Sequence, residues 1–194
     1  MYQRLPSWTL GFHGTDESTV QKILNDKSGH VEQSRNAWDW LGNGAYFWEN
    51  DPTRAFQFAT SRMKWLGITD TKPAVIGAVI DLGRCLNLFD QPGLVELKAA
   101  YKSLEDDAAS VGMPLPENHG KTPDRIFRRL DRAVFENLHL IRSFLRYDAY
   151  DTTRAPFMEG APLYNNTSFR ERNHIQIAVR NMACIKGYFL PRGL

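Results

Sequence analysis

The run AVIGAVIDL at residues 74–82 constrains this chain more than any other segment. It is short, nearly free of polar interruption and carries β-branched Val75, Ile76, Val79 and Ile80. Such a run reads as a β-strand buried on both faces. The rest of the chain must therefore cover two sides of a sheet. With 194 residues, 42% of them hydrophobic, there is enough chain for one compact domain with a real core.

The flanking patterns supply that cover. Residues 9–13 read as a short strand ending at Gly14. Asp16 or Thr15 then caps a helix to about residue 25, with Val20, Ile23 and Leu24 along one side. Residues 26–44 read as a loop anchored by Trp38, Trp40 and Leu41. After a strand at 45–48, Asp51 and Pro52 announce a second helix, with Ala55, Phe58, Ala59 and Met63 on one face.

Residues 92–110 and 124–145 read as helices around a Pro/Gly-rich turn at 112–123. The second has an apolar stripe of Phe127, Leu130, Val134, Leu138 and Ile141, with Arg125, Arg128, Arg129 and Arg132 opposite. Residues 148–173 read mostly as loop. From 174 to 180 the chain alternates: Ile175, Ile177 and Val179 share one face, and His174, Gln176 and Ala178 the other. A final strand follows at 184–189. Strands at both ends around a helical block point to an α+β fold.

Net charge is +2, which excludes a protein that coats nucleic acid; any such contact is local. Cys85 and Cys184 make neither a disulfide framework nor a zinc site, so no metal is expected and the setting is cytoplasmic. The first residues lack the apolar run of a signal peptide, and no stretch approaches the roughly 20 apolar residues of a membrane span. A Gly-rich dinucleotide fingerprint and a phosphate-binding GK[ST] loop are both missing, so a nucleotide is bound some other way.

Three segments carry candidate chemistry. His13, Gly14 and Thr15 end a strand, where a glycine lets a ligand approach the backbone and His13 and Thr15 offer hydrogen bonds to a ribose. Gly42, Gly44, Tyr46 and Phe47 can form a bend that shows one ring to a cleft. Gln176 sits mid-strand on one face with His174; its amide can orient groups but cannot take a proton. Each segment alone also fits a plainer role: a surface His beside a turn, a turn into an edge strand, a polar residue facing solvent.

Together GFHGT, GNGAYF and HIQIAV resemble the ADP-ribosyltransferase fold, in its diphtheria-toxin/poly(ADP-ribose) polymerase branch. The resemblance covers residues 9–82 and 173–190; no motif carries over to the block at about 91–170. It implies an ADP-ribosyltransferase-like split β-sandwich with flanking helices, one domain over 1–194 with a mostly helical insertion at about 91–150. It also implies NAD as the ADP-ribose donor. By resemblance His13 holds the adenosine-side ribose, the Gly14 backbone holds the nicotinamide amide, and Tyr46 stacks on the nicotinamide ring, with Thr15 and Phe47 beside them.

Gln176 stands where the family has a Glu. A neutral amide keeps the hydrogen bond and loses the charge, which favours single transfer over chain extension. Glu159, in a loop pinned by Phe157, Met158 and Leu163, is the preferred compensating carboxylate, ahead of Glu171. His174 is a candidate to bind substrate or acceptor, and Arg154 to meet a phosphate. The arginines at 125, 128, 129 and 132, with Trp38 or Trp40, put a DNA or RNA acceptor ahead of protein. A small transferase of this kind resembles toxins and phage-defence effectors, which implies an antitoxin partner. The alternatives are an NAD glycohydrolase and a non-catalytic NAD- or ADP-ribose-binding module. RNA 2′-phosphate transfer to NAD, a further activity of this fold, wants a basic cleft set for which there is no clear match.

Overall fold

The computed structural model describes residues 8–120 and 125–193. The readings for residues 1–7, for Asp124 and for the end of the 112–123 turn lie outside these residues. The chain runs β1 (Trp8–Asp16), α1 (Glu17–Asn25), β2 (Ala45–Glu49), α2 (Pro52–Leu66), β3 (Pro73–Asp81), β4 (Cys85–Asn87) and α3 (Gln91–Ser110). It continues through β5 (Asn118–His119), β6 (Phe127–Arg128), α4 (Arg129–Phe144), β7 (Thr152–Phe157), β8 (His174–Val179), a 3₁₀ turn (Met182–Cys184) and β9 (Ile185–Phe189). The architecture is α+β. Among the described residues no helix is long and apolar enough to cross a membrane.

Three helices begin on an aspartate whose carboxylate accepts a backbone N–H of the first turn: Asp16 from Thr19, Asp51 from Arg54 and Asp90 from Gly93. Gly67, with φ 67°, ends α2 in the left-handed conformation. Seven strands form one sheet in the order β4-β7-β8-β2-β1-β3-β9, antiparallel except for the β4–β7 pair. β3 lies between β1 and β9, and both of its faces are covered. Ile76, Ala78 and Ile80 join Val20, Ile23, Phe47, Ile177 and Val179 in the core beneath α1. Val75 packs on the other side with Phe12, Trp48 and Ala55.

That second face is shared. α2 covers it over β1 and β3, while α3 and α4 cover it over β7 and β8 through Leu41, Leu86, Ala100, Val134, Phe135, Leu138, Ala155 and Ala178. Two elements depart from expectation. β7 occupies residues read as loop; it pairs with β4 on one side and β8 on the other, and Thr152 Oγ1 donates to the Leu82 carbonyl at 2.6 Å. Phe127 belongs to β6, and α4 starts only at Arg129.

One feature of the sheet positions everything below. β1 stays paired with β3 through Asp16, and β2 stays paired with β8 from Ala45. The β1–β2 ladder, however, pairs only Gly11 with Glu49 and Phe12 with Trp48. Beyond Phe12 the two halves of the sheet part.

Candidate functional site

The three singled-out segments lie on neighbouring strands, β1, β2 and β8. Their side chains divide between the two faces. Gln176 pairs with Trp48 and Ala178 with Tyr46, so these four share the face covered by α2, α3 and α4, and His174 joins them by the two-residue period. His13, Phe47 and Arg154 point to the α1 face.

His13 sits where the β1–β2 ladder ends. Its Nδ1 donates to the Tyr46 carbonyl at 2.8 Å, since that oxygen can only accept. Burial pushes the imidazole pKa down, so the ring is neutral and Nε2 holds a lone pair. Nε2 has no partner among the described residues. A ribose hydroxyl would therefore donate to His13, the reverse of the direction a protonated ring would use.

The neighbouring residues are taken up by the fold. A Cβ on Gly14 would collide with the Ala55 carbonyl, so the close approach that this glycine permits is made by the α2 backbone. Thr15 Oγ1 donates to Asp16 Oδ2 at 3.5 Å, beside the α1 cap. Phe47 is fully buried in the core and meets the His13 ring edge-on, which corrects its assignment to the ligand wall.

Tyr46 is also anchored. Its hydroxyl accepts from the Leu41 N–H at 2.8 Å and donates to the Gly42 carbonyl at 2.6 Å. The GNG turn that it holds is fixed from below. Glu136 accepts from the Asn43 N–H at 2.7 Å and from Arg180 Nη1 at 2.8 Å, and Arg132 Nη2 donates to Asn43 Oδ1 at 3.1 Å. Burial alone would raise the Glu136 carboxyl; the Arg180 and Asn43 contacts outweigh it and leave the pKa lowered. Arg132 is thus engaged in the fold. Arg128 lies over the Trp40 ring at 4.2 Å and pairs with Asp131 at 3.1 Å. Of the four arginines expected on one helix face, Arg125 and Arg128 precede α4, and only Arg125 and Arg129 stand exposed, which breaks up the expected phosphate-tracking face.

The other end of β2 is different. Gln176 is 9% exposed, and its amide makes no hydrogen bond among the described residues. His174 is 7% exposed; its Nδ1 donates to the Arg172 carbonyl at 2.6 Å. Its Nε2 is buried without a partner, as is the indole N–H of Trp48. Phe157 stacks on His174 at 5.6 Å, and the Trp40 and Trp48 rings each lie 6.3 Å away. Burial lowers the His174 pKa, so Nε2 again carries a lone pair. A cleft of about 450 Å³ opens against His174, walled by Phe157, Met158 and Phe89, with Glu49, Asn50 and Asp51 at the end of β2.

Two charged candidates are already paired. Glu159 meets Arg54 at 2.6 Å and Arg172 at 3.5 Å, so it is no free carboxylate beside Gln176. Arg154 makes a two-pronged contact to Glu49, at 2.5 and 2.8 Å, and covers the Phe89 ring. Glu171 is exposed, its N–H donating to the Ala161 carbonyl. Sequence reasoning passed over Trp48 and Arg54. The signal was present: Trp48 shares a strand face with Tyr46, and Arg54 precedes buried Ala55 on an otherwise apolar side of α2. Among the described residues no group of three His, Cys, Asp or Glu is placed to hold a metal ion. No family model, curated protein or solved structure matches the chain.

Proposed function

We propose that this protein binds NAD and transfers a single ADP-ribose to a macromolecular acceptor, on an ADP-ribosyltransferase-like split β-sandwich. The observation that carries the reading is the His13–Tyr46 hydrogen bond at the point where β1 and β2 part. It joins two of the three family-like segments and leaves His13 Nε2 open, while the third brings the unpartnered Gln176 amide to the adjoining strand.

NAD would supply the ADP-ribosyl group, with nicotinamide as leaving group. His13 Nε2 accepts a hydrogen bond from a ribose hydroxyl. Gln176 points to the opposite face of the sheet from His13, so we assign it with His174 to the acceptor side, where its amide orients a group without adding charge. His174 Nε2, neutral and two residues away on the same face, accepts the hydrogen bond of the attacking acceptor group. Gly14, Phe47 and Arg154 take no part, since α2, the core and Glu49 already occupy them.

A second reading has its own support. With Glu159 held by Arg54, the preferred compensating carboxylate is engaged, which favours an NAD- or ADP-ribose-binding module without turnover. Incubation with labelled NAD and DNA, RNA or lysate protein separates the cases. Transfer expects released nicotinamide plus label on one acceptor, both lost in His13→Ala and Gln176→Ala. Nicotinamide release with free ADP-ribose alone selects a glycohydrolase. Tight NAD binding by calorimetry without release selects the module. Absence of binding and release together overturns every NAD reading.

A further inference from the structure

The helical block leaves a second cavity, which adjoins the cleft at His174 and shares Pro156 and Phe157 with it. α3 and α4 pack against each other and against the β7 side of the sheet without closing on it. Between them remains a space of about 490 Å³, within the range of small-molecule pockets. Leu94 and Leu97 of α3, Val134 and Phe135 of α4, and Leu88 and Phe157 beneath form its apolar wall.

The charged groups at this cavity are few, and they are not balanced. Arg128 and Asp131 line it together and pair with each other at 3.1 Å, so their charges cancel locally; Asp131 also accepts from Asn118 Nδ2 at 2.6 Å. The Tyr101 hydroxyl is directed to Glu105 at 3.0 Å. Lys98 is the remaining charge on the lining. It is exposed at the mouth and has no ion-pair partner among the described residues. The site thus offers an apolar interior, one cation at the rim and no uncompensated anion.

We propose that this cavity binds an apolar molecule ending in a carboxylate, its hydrocarbon body among the leucines and its anion at Lys98. The complementarity is specific in sign: the same body carrying an ammonium would meet Lys98 as a like charge, and a neutral alcohol would gain the apolar wall alone. The proposal does not depend on NAD chemistry.

Calorimetry with decanoate, decanol and decylamine below their aggregation concentrations tests it. Wild type is expected to bind decanoate most tightly, then decanol, then decylamine. Lys98→Glu should weaken decanoate roughly three- to fivefold and reverse the order of the two charged probes, the scale of an exposed ion pair. Leu97→Trp should abolish binding of all three by filling the space. Leu94→Trp, at a more exposed position on the same wall, serves if the first variant fails to fold. Failure of decanoate to bind wild type, equal affinity for decylamine, or undiminished binding in a folded Trp variant would each overturn the proposal.

Discussion

The two ends of β2 make opposite use of polar groups. At the Ala45 end, the GNG turn, Tyr46, Glu136, Arg132 and Arg180 form a connected hydrogen-bond set, with Arg132 Nε and His139 Nε2 left over beside it. At the Glu49 end, His174 Nε2 and the Trp48 indole N–H are buried without a partner, and the Gln176 amide makes no hydrogen bond among the described residues. An unmade buried hydrogen bond costs more than a made one returns, so the first set stabilises the fold and the second is carried at a cost. This contrast agrees with the proposed assignment of function to the Glu49 end and His13, and of architecture to the Ala45 end.

The largest effect should come from the satisfied end. Glu136→Ala leaves Arg180 and the Asn43 N–H without their acceptor and should lower unfolding free energy by about 3 kcal/mol, read by urea denaturation. A loss below 1 kcal/mol would dissolve the contrast from that side.

An intermediate effect should follow pH. His139, beneath the same network, has a pKa lowered to about 4, chiefly by burial and then by Arg180. Its unfolded counterpart, near 6.5, takes up a proton first, so stability falls as pH drops from 6.5 toward 4. At pH 5 the loss from His139 alone is about 2 kcal/mol. His13 and His174 shift the same way and steepen the slope. The urea midpoint at pH 7 against pH 5 measures the total, and His139→Gln should flatten it; an unchanged slope would reject the assignment.

The smallest effect carries the opposite sign. Gln176→Leu removes an amide that makes no hydrogen bond among the described residues, so stability should stay level or rise by up to about 1 kcal/mol; His174→Phe removes the unpartnered Nε2 together with the Nδ1 bond to the Arg172 carbonyl, so it should stay within about 1 kcal/mol of wild type. Any NAD binding or nicotinamide release should fall in the same variants. A marked loss of stability would mean that these residues serve the fold after all.

Much of the fold was legible because it rests on local signals. The Asp caps of α1 and α2, Pro52, the AVIGAVIDL run and the alternation after His174 act through near neighbours. β7 was not legible. Its threonines look like loop residues until Leu82, 70 positions away, accepts from Thr152. The candidate site divides in the same way. The segments around His13, Tyr46 and Gln176 could be found by eye, but the faces could not. Phe47 and Tyr46 differ by one position and by a whole side of the sheet. The pairing of Glu159 with Arg54 spans 105 positions, and no local pattern announces it.

The strand order also dictates when the protein can fold during synthesis. β8 is an interior strand, lying between β7 and β2, yet it is made after both. A nascent chain that has not passed residue 179 holds two strand edges waiting for the same insertion, one of them carrying Phe47. Unpaired edges of this kind recruit other chains, so a message truncated in the loop between β7 and β8 should yield aggregate instead of a weakened protein. The polypeptide is therefore all-or-nothing at the ribosome, and its residence on a chaperone should end only once HIQIAV has emerged.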